Sequence, residues 1–499
     1  MKAIGFAWIQ AKGDTWNGRN SRVQSSTFRL CSRGRCKLKL ELYAVYFIYS
    51  VLLTVGFIAL LPKFVIDALR RRKYITGLSQ RLGQLPVVAS SDYPIVWLHC
   101  VSVGETEAAR PFVREFLDRF PSYRLVVSTT TVTGQKLART LYGHRVALVF
   151  YFPIDWAWTV RRVLRRIKPS ALFVMETELW PRLFRECRTR SIPVALLNGR
   201  ISPTSFRRYK WTGSFIRRVL DDVSVAMMQS EPDATRIREL GLPTERILVP
   251  GNLKFDVAET AFDDAVTSEL RVRFGIDGKR AVIVAASTHA PEEKVILEAF
   301  KQIKDRELAH DARLIIAPRH PERFDDVALV VKTSGLTWSR RSHAPSPSDA
   351  TCEVILLDSI GELRAIYALA DIAFVGGSIA PHGGHNVLEP AARGVCVVTG
   401  AHTQNFAAVR KALQDENAIV QLPRVPTAEA SMKLAAVLLE LLADEERRSE
   451  ISKRARSVCN QNRGATDRTI ETIARILSEP KAAGGLPVAV SSLHVTTAK

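Results

Sequence analysis

PIVWLHCVSVGETEAAR, residues Pro94 to Arg110, is the stretch on which the fold turns. It begins as an uncharged apolar run of strand length and passes through Gly104 and Glu105 into a segment of helical composition. A buried strand feeding a helix in this way opens a βαβ unit. Further on the pattern repeats, with RLVVSTT (124–130), ALFVMET (171–177), IPVALLN (192–198), VSVAMMQS (223–230) and ILVPGN (247–252) separated by amphipathic stretches. After a charged segment at 260–279 a second series follows: AVIVAAS (281–287), RLIIAPR (313–319), EVILLDS (353–359), IAFVGGS (372–378), GVCVVTG (394–400) and AIVQLP (418–423). Strands alternating with helices predict parallel sheets. Two series of similar size predict an α/β chain with two Rossmann-like domains facing a cleft. The first domain is expected over 74–258 and the second over 259–478, with helical stretches at 428–442 and 446–477 closing the second. Residues 479–499 read as a disordered tail.

Upstream, LYAVYFIYSVLLTVGFIALL, Leu42–Leu61, is 20 residues without a charge. As a helix it would be about 30 Å long, the thickness of a bilayer's hydrocarbon core. A membrane-anchor helix is therefore expected within 40–73, with a buried core helix or a signal-peptide core as the alternative. Tyr43, Tyr46 and Tyr49 sit towards one end as interfacial aromatics do, and Lys63 and Arg70–Lys73 follow the other. Basic residues also precede the run, so charge alone orients it weakly. Residues 1–39 are basic and aperiodic; they read as a disordered extension that could be a targeting peptide, with a polybasic membrane contact or the product of an upstream start codon favoured over it.

The chain of 499 residues has room for two cores, and 46% hydrophobic with 24% charged residues is a globular composition. A formal net charge of +21 asks for an anionic partner: nucleic acid, an acidic membrane face or a phosphorylated substrate. Seven widely spaced cysteines without a CxxC pair speak against a disulfide framework or a zinc site.

Ligands of open parallel sheets bind beyond the carboxyl ends of the strands, so the residues there are the candidates. Glu105, in VSVGE, is either a helix-start acid or a general base that takes a proton from an acceptor hydroxyl. Glu176 and Glu178, in METELWP, can stabilise a cationic centre or hold a sugar hydroxyl, with a helix-cap role open for Glu178. Lys254, in GNLKFD at the domain junction, is either a linker charge or the partner of a departing phosphate. In the second series Ser287, Thr288 and Arg319 offer donors to a phosphate. Gly376, Gly377, Gly383 and Gly384 let backbone approach a ligand, and Asn386 is expected to open a helix with Glu389 in its first turn, placed to take a ribose. Neither a Walker loop nor a GxGxxG, HExxH or strand-end DxD occurs, so phosphate charge is expected to be met by Arg, Lys and helix N-termini without a metal or other cofactor.

Taken together, VSVGE, METELWP, LLNGRIS, GNLKFD, STHAPEE, PRHPER, GELRAIYALADIAFVGGS, GGHNVLEPAA and GAHTQNF closely resemble, in order, the 3-deoxy-D-manno-octulosonic acid (Kdo) transferases of Gram-negative bacteria. The resemblance runs from about Leu40 to Leu477. It implies a GT-B glycosyltransferase of lipopolysaccharide biosynthesis that moves Kdo from CMP-Kdo to a lipid A precursor with inversion and without metal. It also implies an enzyme held at the cytoplasmic side of the bacterial inner membrane. By position it makes Glu105 the proton acceptor and Glu176 and Lys254 the transition-state stabilisers. It draws CMP contacts from Pro318, Arg319, Ile360, Gly361, Glu362, Asn386, Val387, Leu388 and Glu389. Residues 1–39 have no counterpart in the family pattern. The acid-free run Arg200–Arg218, with Arg207, Arg208, Lys210 and Arg217, then suits acceptor phosphates or anionic headgroups, a solvated basic face being the alternative. Three rival readings remain: a GT-B enzyme using a UDP-sugar, a membrane-tethered binding protein that keeps the fold without catalysis, and a nucleic-acid binder. The last has only net charge in its favour, since no basic stripe interleaved with aromatics is present.

Overall fold

The computed structural model describes residues 45–59, 76–86, 92–257, 264–306 and 309–478. The expected tail at 479–499 and extension at 1–39 lie outside them.

The first series of apolar runs forms seven parallel strands: β1 (Ile95–Cys100), β2 (Arg124–Thr129), β3 (Leu148–Tyr151), β4 (Pro169–Met175), β5 (Val194–Gly199), β6 (Val225–Met228) and β7 (Ile247–Leu248). They lie in the order β3-β2-β1-β4-β5-β6-β7. The second series forms β8 (Val282–Thr288), β9 (Arg313–Pro318), β10 (Trp338–Arg340), β11 (Val354–Leu356), β12 (Ile372–Val375), β13 (Cys396–Thr399) and β14 (Val420–Gln421), again all parallel, ordered β10-β11-β9-β8-β12-β13-β14. The central strands are continuous hydrophobic runs because helices cover both of their faces. In β1, Trp97 and Val96 point to opposite sides and both are fully buried, in separate cores. The indole of Trp97 donates to Ser128 Oγ at 2.8 Å, which satisfies the one polar atom that its burial would strand.

Two expectations need correction. The sequence pattern has 446–477 close the second domain as a whole, but only its first part does. The helix Glu445–Gln461 packs against the second domain at β13 and the helix Leu388–Arg393. The helix Ala465–Ser478 crosses back, and its Ala465, Ile470 and Ile473 are buried in the first domain's core beside Phe112 and Phe116. Asp256 fixes the crossing: its carboxylate accepts from Gly464 N (2.9 Å), Thr466 N (2.6 Å) and Thr466 Oγ1 (2.6 Å). The apolar periodicity of this helix is the same whichever sheet it covers, which is why sequence alone assigned it to its neighbour in the chain.

The second correction concerns the anchor. Among the described residues no helix is long and apolar enough to cross a membrane. Residues 45–59 of the expected span are helical, whereas 40–44 and 60–73 lie outside the described residues. Tyr46 and Tyr49, read as interfacial aromatics, instead donate to carboxylates of the first domain: Tyr46 OH to Asp222 Oδ2 (3.0 Å) and Tyr49 OH to Asp155 Oδ2 (2.9 Å). Tyr49 also stacks on Phe215, and Phe57 meets Trp156 edge to face. One side of this helix is thus bound to protein. The other leaves Phe47, Ile48, Leu52, Val55 and Ile58 exposed.

Candidate active site

A doubly wound sheet opens a crevice where its strand order reverses. In the first sheet that point lies between β1 and β4, which are followed by Ser102–Glu105 and Glu176–Glu178. In the second it lies between β8 and β12, followed by Ser287–Glu293 and Gly376–Ser378.

Glu105 stands at a helix start, the first of the two positions read for it from the sequence. It is in the first turn of the helix Val103–Ala108, whose N-cap is Ser102. Its Oε1 accepts from Ser102 Oγ (2.9 Å) and its Oε2 from Val101 N (2.7 Å). Yet the residue is only 5% exposed, and burial, then the charge of Glu176, pushes its pKa up to about 8 against the pull of those two donors. A carboxyl whose affinity for protons is matched to neutral solution, and whose ring of donors fixes its direction, is suited to general acid–base work.

Glu176 follows β4 with a left-handed backbone, φ 54, a conformation that costs a non-glycine residue energy and is retained where surrounding structure enforces it. Its N–H donates to Leu197 O on the next strand at 2.8 Å. Glu178 is also pushed upward, by burial and by Glu176. Lys254 heads the short helix Lys254–Val257 after a turn at Gly251, φ 105. Its Nζ lies 3.4 Å from Glu176 Oε1 and 5.7 Å from the centre of the Phe406 ring, which belongs to the second domain. The lysine thus stands between a carboxylate of the first domain and a ring of the second.

The nucleotide-binding candidates line the second domain's strand ends. Pro318 closes β9 and is buried, while Arg319 after it is exposed and donates its N–H to Thr288 O (3.1 Å). Ile360 is 81% exposed beside Gly361, φ 96. Glu362 is paired with Arg341 (2.8 Å) and accepts from Ser359, and the guanidinium beside it holds its carboxyl below the usual range. Asn386 does not itself open the helix: Val387 is the N-cap of Leu388–Arg393, and Asn386 Oδ1 accepts from Leu388 N at 3.0 Å. Glu389 lies in the first turn, as expected, and pairs with Arg364 (3.2 Å).

Glu107 feels charges of both halves. It shares a helix with Glu105, and burial raises its pKa while Arg110 of its own domain, then Glu389, Arg319 and Arg364 of the other, act on it. Sequence reading missed Glu107, together with Ser102, Arg341, Arg364 and Phe406. The spacing of Glu107 two residues from Glu105 was a usable signal; the partner arginines and Phe406 become visible only when distant loops are brought together.

The family model described as "3-Deoxy-D-manno-octulosonic-acid transferase (kdotransferase)" matches residues 76–257. A 3-deoxy-D-manno-octulosonic acid transferase of Haemophilus influenzae is 32% identical over 86% of this chain and 97% of that protein. The enzyme of the same name from Bordetella pertussis is 35% identical over 76% of this chain and 86% of that protein. Among solved structures, a UDP-GlcNAc 2-epimerase of Neisseria meningitidis superposes with a TM-score of 0.51 at 11% identity, covering 76% of this chain and 99% of that one. A glycosyltransferase of Rickettsia africae does so with 0.50 at 12%, covering 78% and 100%. These two show the twin-domain fold alone. With its motifs in family order and that extent of identity, the chain belongs to the family of 3-deoxy-D-manno-octulosonic acid transferases.

Proposed function

We propose that this glycosyltransferase moves Kdo from CMP-Kdo to a lipid A precursor in lipopolysaccharide biosynthesis, with inversion at the anomeric carbon and without a metal. The observation that carries the reading is the constellation Glu105, Glu176 and Lys254 on the cleft, with a carboxyl of raised pKa beside a carboxylate–lysine pair. As the bond from the anomeric carbon to the CMP phosphate breaks, positive charge grows on the ring and negative charge on the leaving phosphate. Glu176 stabilises the first, while Lys254 and Arg319 offset the second. An acceptor hydroxyl attacks from the opposite face and passes its proton to ionised Glu105. CMP is held by Pro318, Arg319, Ile360, Gly361, Glu362 and the segment Asn386–Glu389.

The acceptor is a phosphorylated lipid, so the protein must work at an anionic membrane face, in this reading the cytoplasmic side of the inner membrane. Support comes from the exposed apolar side of helix 45–59 and its neighbour, the helix Gly213–Asp221, through the Tyr49–Phe215 stack. Arg207, Arg208, Lys210 and Arg217 are exposed nearby in sequence, with Trp211 90% exposed among them. Apolar and basic surfaces so combined suit an interfacial contact. Mass spectrometry of the product formed from CMP-Kdo and a tetra-acylated, bisphosphorylated lipid A precursor tests the reading. Absence of a Kdo adduct, with inhibition by UDP in place of CMP, would move the enzyme to a UDP-sugar donor.

A further inference from the structure

Four imidazoles that the mechanism above leaves unused meet at the switch point of the second sheet. His289 follows β8, His320 follows β9, and His382 and His385 belong to the Gly-rich loop after β12. The His289 ring lies 4.2 Å from His382, 5.0 Å from His385 and 5.1 Å from His320, centre to centre. His289 Nε2 and His385 Nε2 are 2.8 Å apart. At that distance one ring donates and the other accepts, so at least one is neutral.

The loop is built to keep them there. The carboxylate of Glu292, fully buried, accepts from five backbone N–H groups: His289 (3.0 Å), Gly377 (2.7 Å), Ser378 (2.9 Å), Ile379 (2.8 Å) and Ala380 (3.3 Å). It ties the turn after β8 to the turn after β12. At Gly377, φ 66, a Cβ would lie 2.8 Å from the His385 ring, so only glycine lets the imidazole rest against the backbone. Burial, with His382, His320 and Arg323 against Glu293, pushes His289 down to about 4; burial, with Arg319 and the other three histidines, pushes His385 down to about 3. Both rings are therefore uncharged in the free protein, in a setting short of negative charge, since Glu292 is consumed by backbone donors and Glu293 by Arg323. Among the described residues no group of three or more His, Cys, Asp or Glu side chains is placed to hold a metal ion.

The cluster stands at the carboxyl ends of β8, β9 and β12, where ligands of such sheets bind, beside the phosphate candidate Arg319. A donor of the class read above carries two anions: the phosphate that leaves and the carboxylate that stays on the anomeric carbon. The first has Lys254 and Arg319; the second has no partner among the residues assigned so far. We propose that His289 and His385, clamped by the loop that Glu292 holds, form the subsite for the carboxylate of the donated sugar. An arriving carboxylate supplies the negative charge the site lacks; with one proton taken up by the pair, whose rings share the Nε2–H···Nε2 bond, both Nδ1–H groups can donate to it. This rests on the reading of the enzyme as a Kdo transferase.

The test uses the full chain, with His289→Asn and His385→Asn assayed for the KM of CMP-Kdo and for inhibition by CMP, which has no carboxylate. Each variant should raise the donor KM about tenfold or more, as expected for losing a hydrogen bond to a charged group, and leave CMP inhibition within about twofold. A donor KM unchanged in both variants would overturn the proposal. So would CMP inhibition weakened as much as the donor KM, since the histidines would then serve the nucleotide or the fold of the loop. Activity lost to a chelator in the wild type but not further reduced in the variants would replace the subsite by a metal site. If the wild type transfers no Kdo from CMP-Kdo at all, it is the underlying reading that fails.

Discussion

Glu176→Gln keeps the side chain's volume and removes the second-largest influence that holds Glu105 up to about 8. If ionised Glu105 is the base, only about one molecule in ten is competent at pH 7 in the free enzyme, and kcat/KM should climb about tenfold per pH unit below 8 and level off above it. A like charge at close range is worth roughly one pKa unit or more, so Glu176→Gln should slide that acid limb down by about one unit while lowering the plateau through loss of transition-state stabilisation. Glu105→Gln should abolish the limb and cut turnover by about 10² or more. The same charge balance has a signature without substrate. The carboxyl's pKa is raised on folding, so its contribution to stability is full below its ordinary 4.5 and is lost as pH rises through about 8. At about 1.36 kcal/mol per pKa unit, the difference is about 5 kcal/mol as an order of magnitude. Urea unfolding at pH 5 and pH 9 should therefore show the wild type losing more stability than Glu105→Gln over that interval. A flat kcat/KM from pH 6 to 9, or a limb unmoved in Glu176→Gln, would refute the assignment of Glu105 as the base tuned by Glu176.

If phosphate charge is met by Lys254 and Arg319, as proposed, saturating chelator should leave turnover within about twofold; loss of activity restored by magnesium would contradict this. Asp256→Ala strips three donors of their acceptor at the crossing to the C-terminal helix and should cost about 1–3 kcal/mol in urea unfolding, with turnover falling as Lys254 on the same helix is displaced. Leu52→Asp with Ile58→Asp, on the exposed side of helix 45–59, should reduce sedimentation with anionic vesicles and leave the urea midpoint in place; full sedimentation would shift attachment to the basic helices. Deleting residues 1–61 is a poorer test than the apolar run suggests, since it also strips Asp155 and Asp222 of Tyr49 and Tyr46.

The strands and the polar residues at their ends were legible because burial on both faces writes a continuous apolar run, and Glu105, Glu176 and Lys254 interrupt such runs. The left-handed backbone of Glu176 was not legible, since a glutamate has no preference of its own for that conformation. Helix 45–59 misled for a related reason. An apolar stretch is silent about whether lipid or protein covers it, and only the positions of Asp155 and Asp222, 106 and 176 residues away, decide what the tyrosines do. The histidine cluster was hidden in the same way, because His289 and His385 stand 96 residues apart and each alone looks like an ordinary loop residue.

The return of the helix Ala465–Ser478 to the first domain has a consequence for biosynthesis. A ribosome delivers β1 to β7 long before this helix, and domains fold as they emerge. The first sheet is thus assembled while the side that will receive Ala465, Ile470 and Ile473 still lacks its cover, and it stays so throughout translation of the second domain. A nascent chain halted anywhere in that interval holds Phe112, Phe116 and their neighbours without that cover, so the first domain's core is completed only after the second domain has been translated.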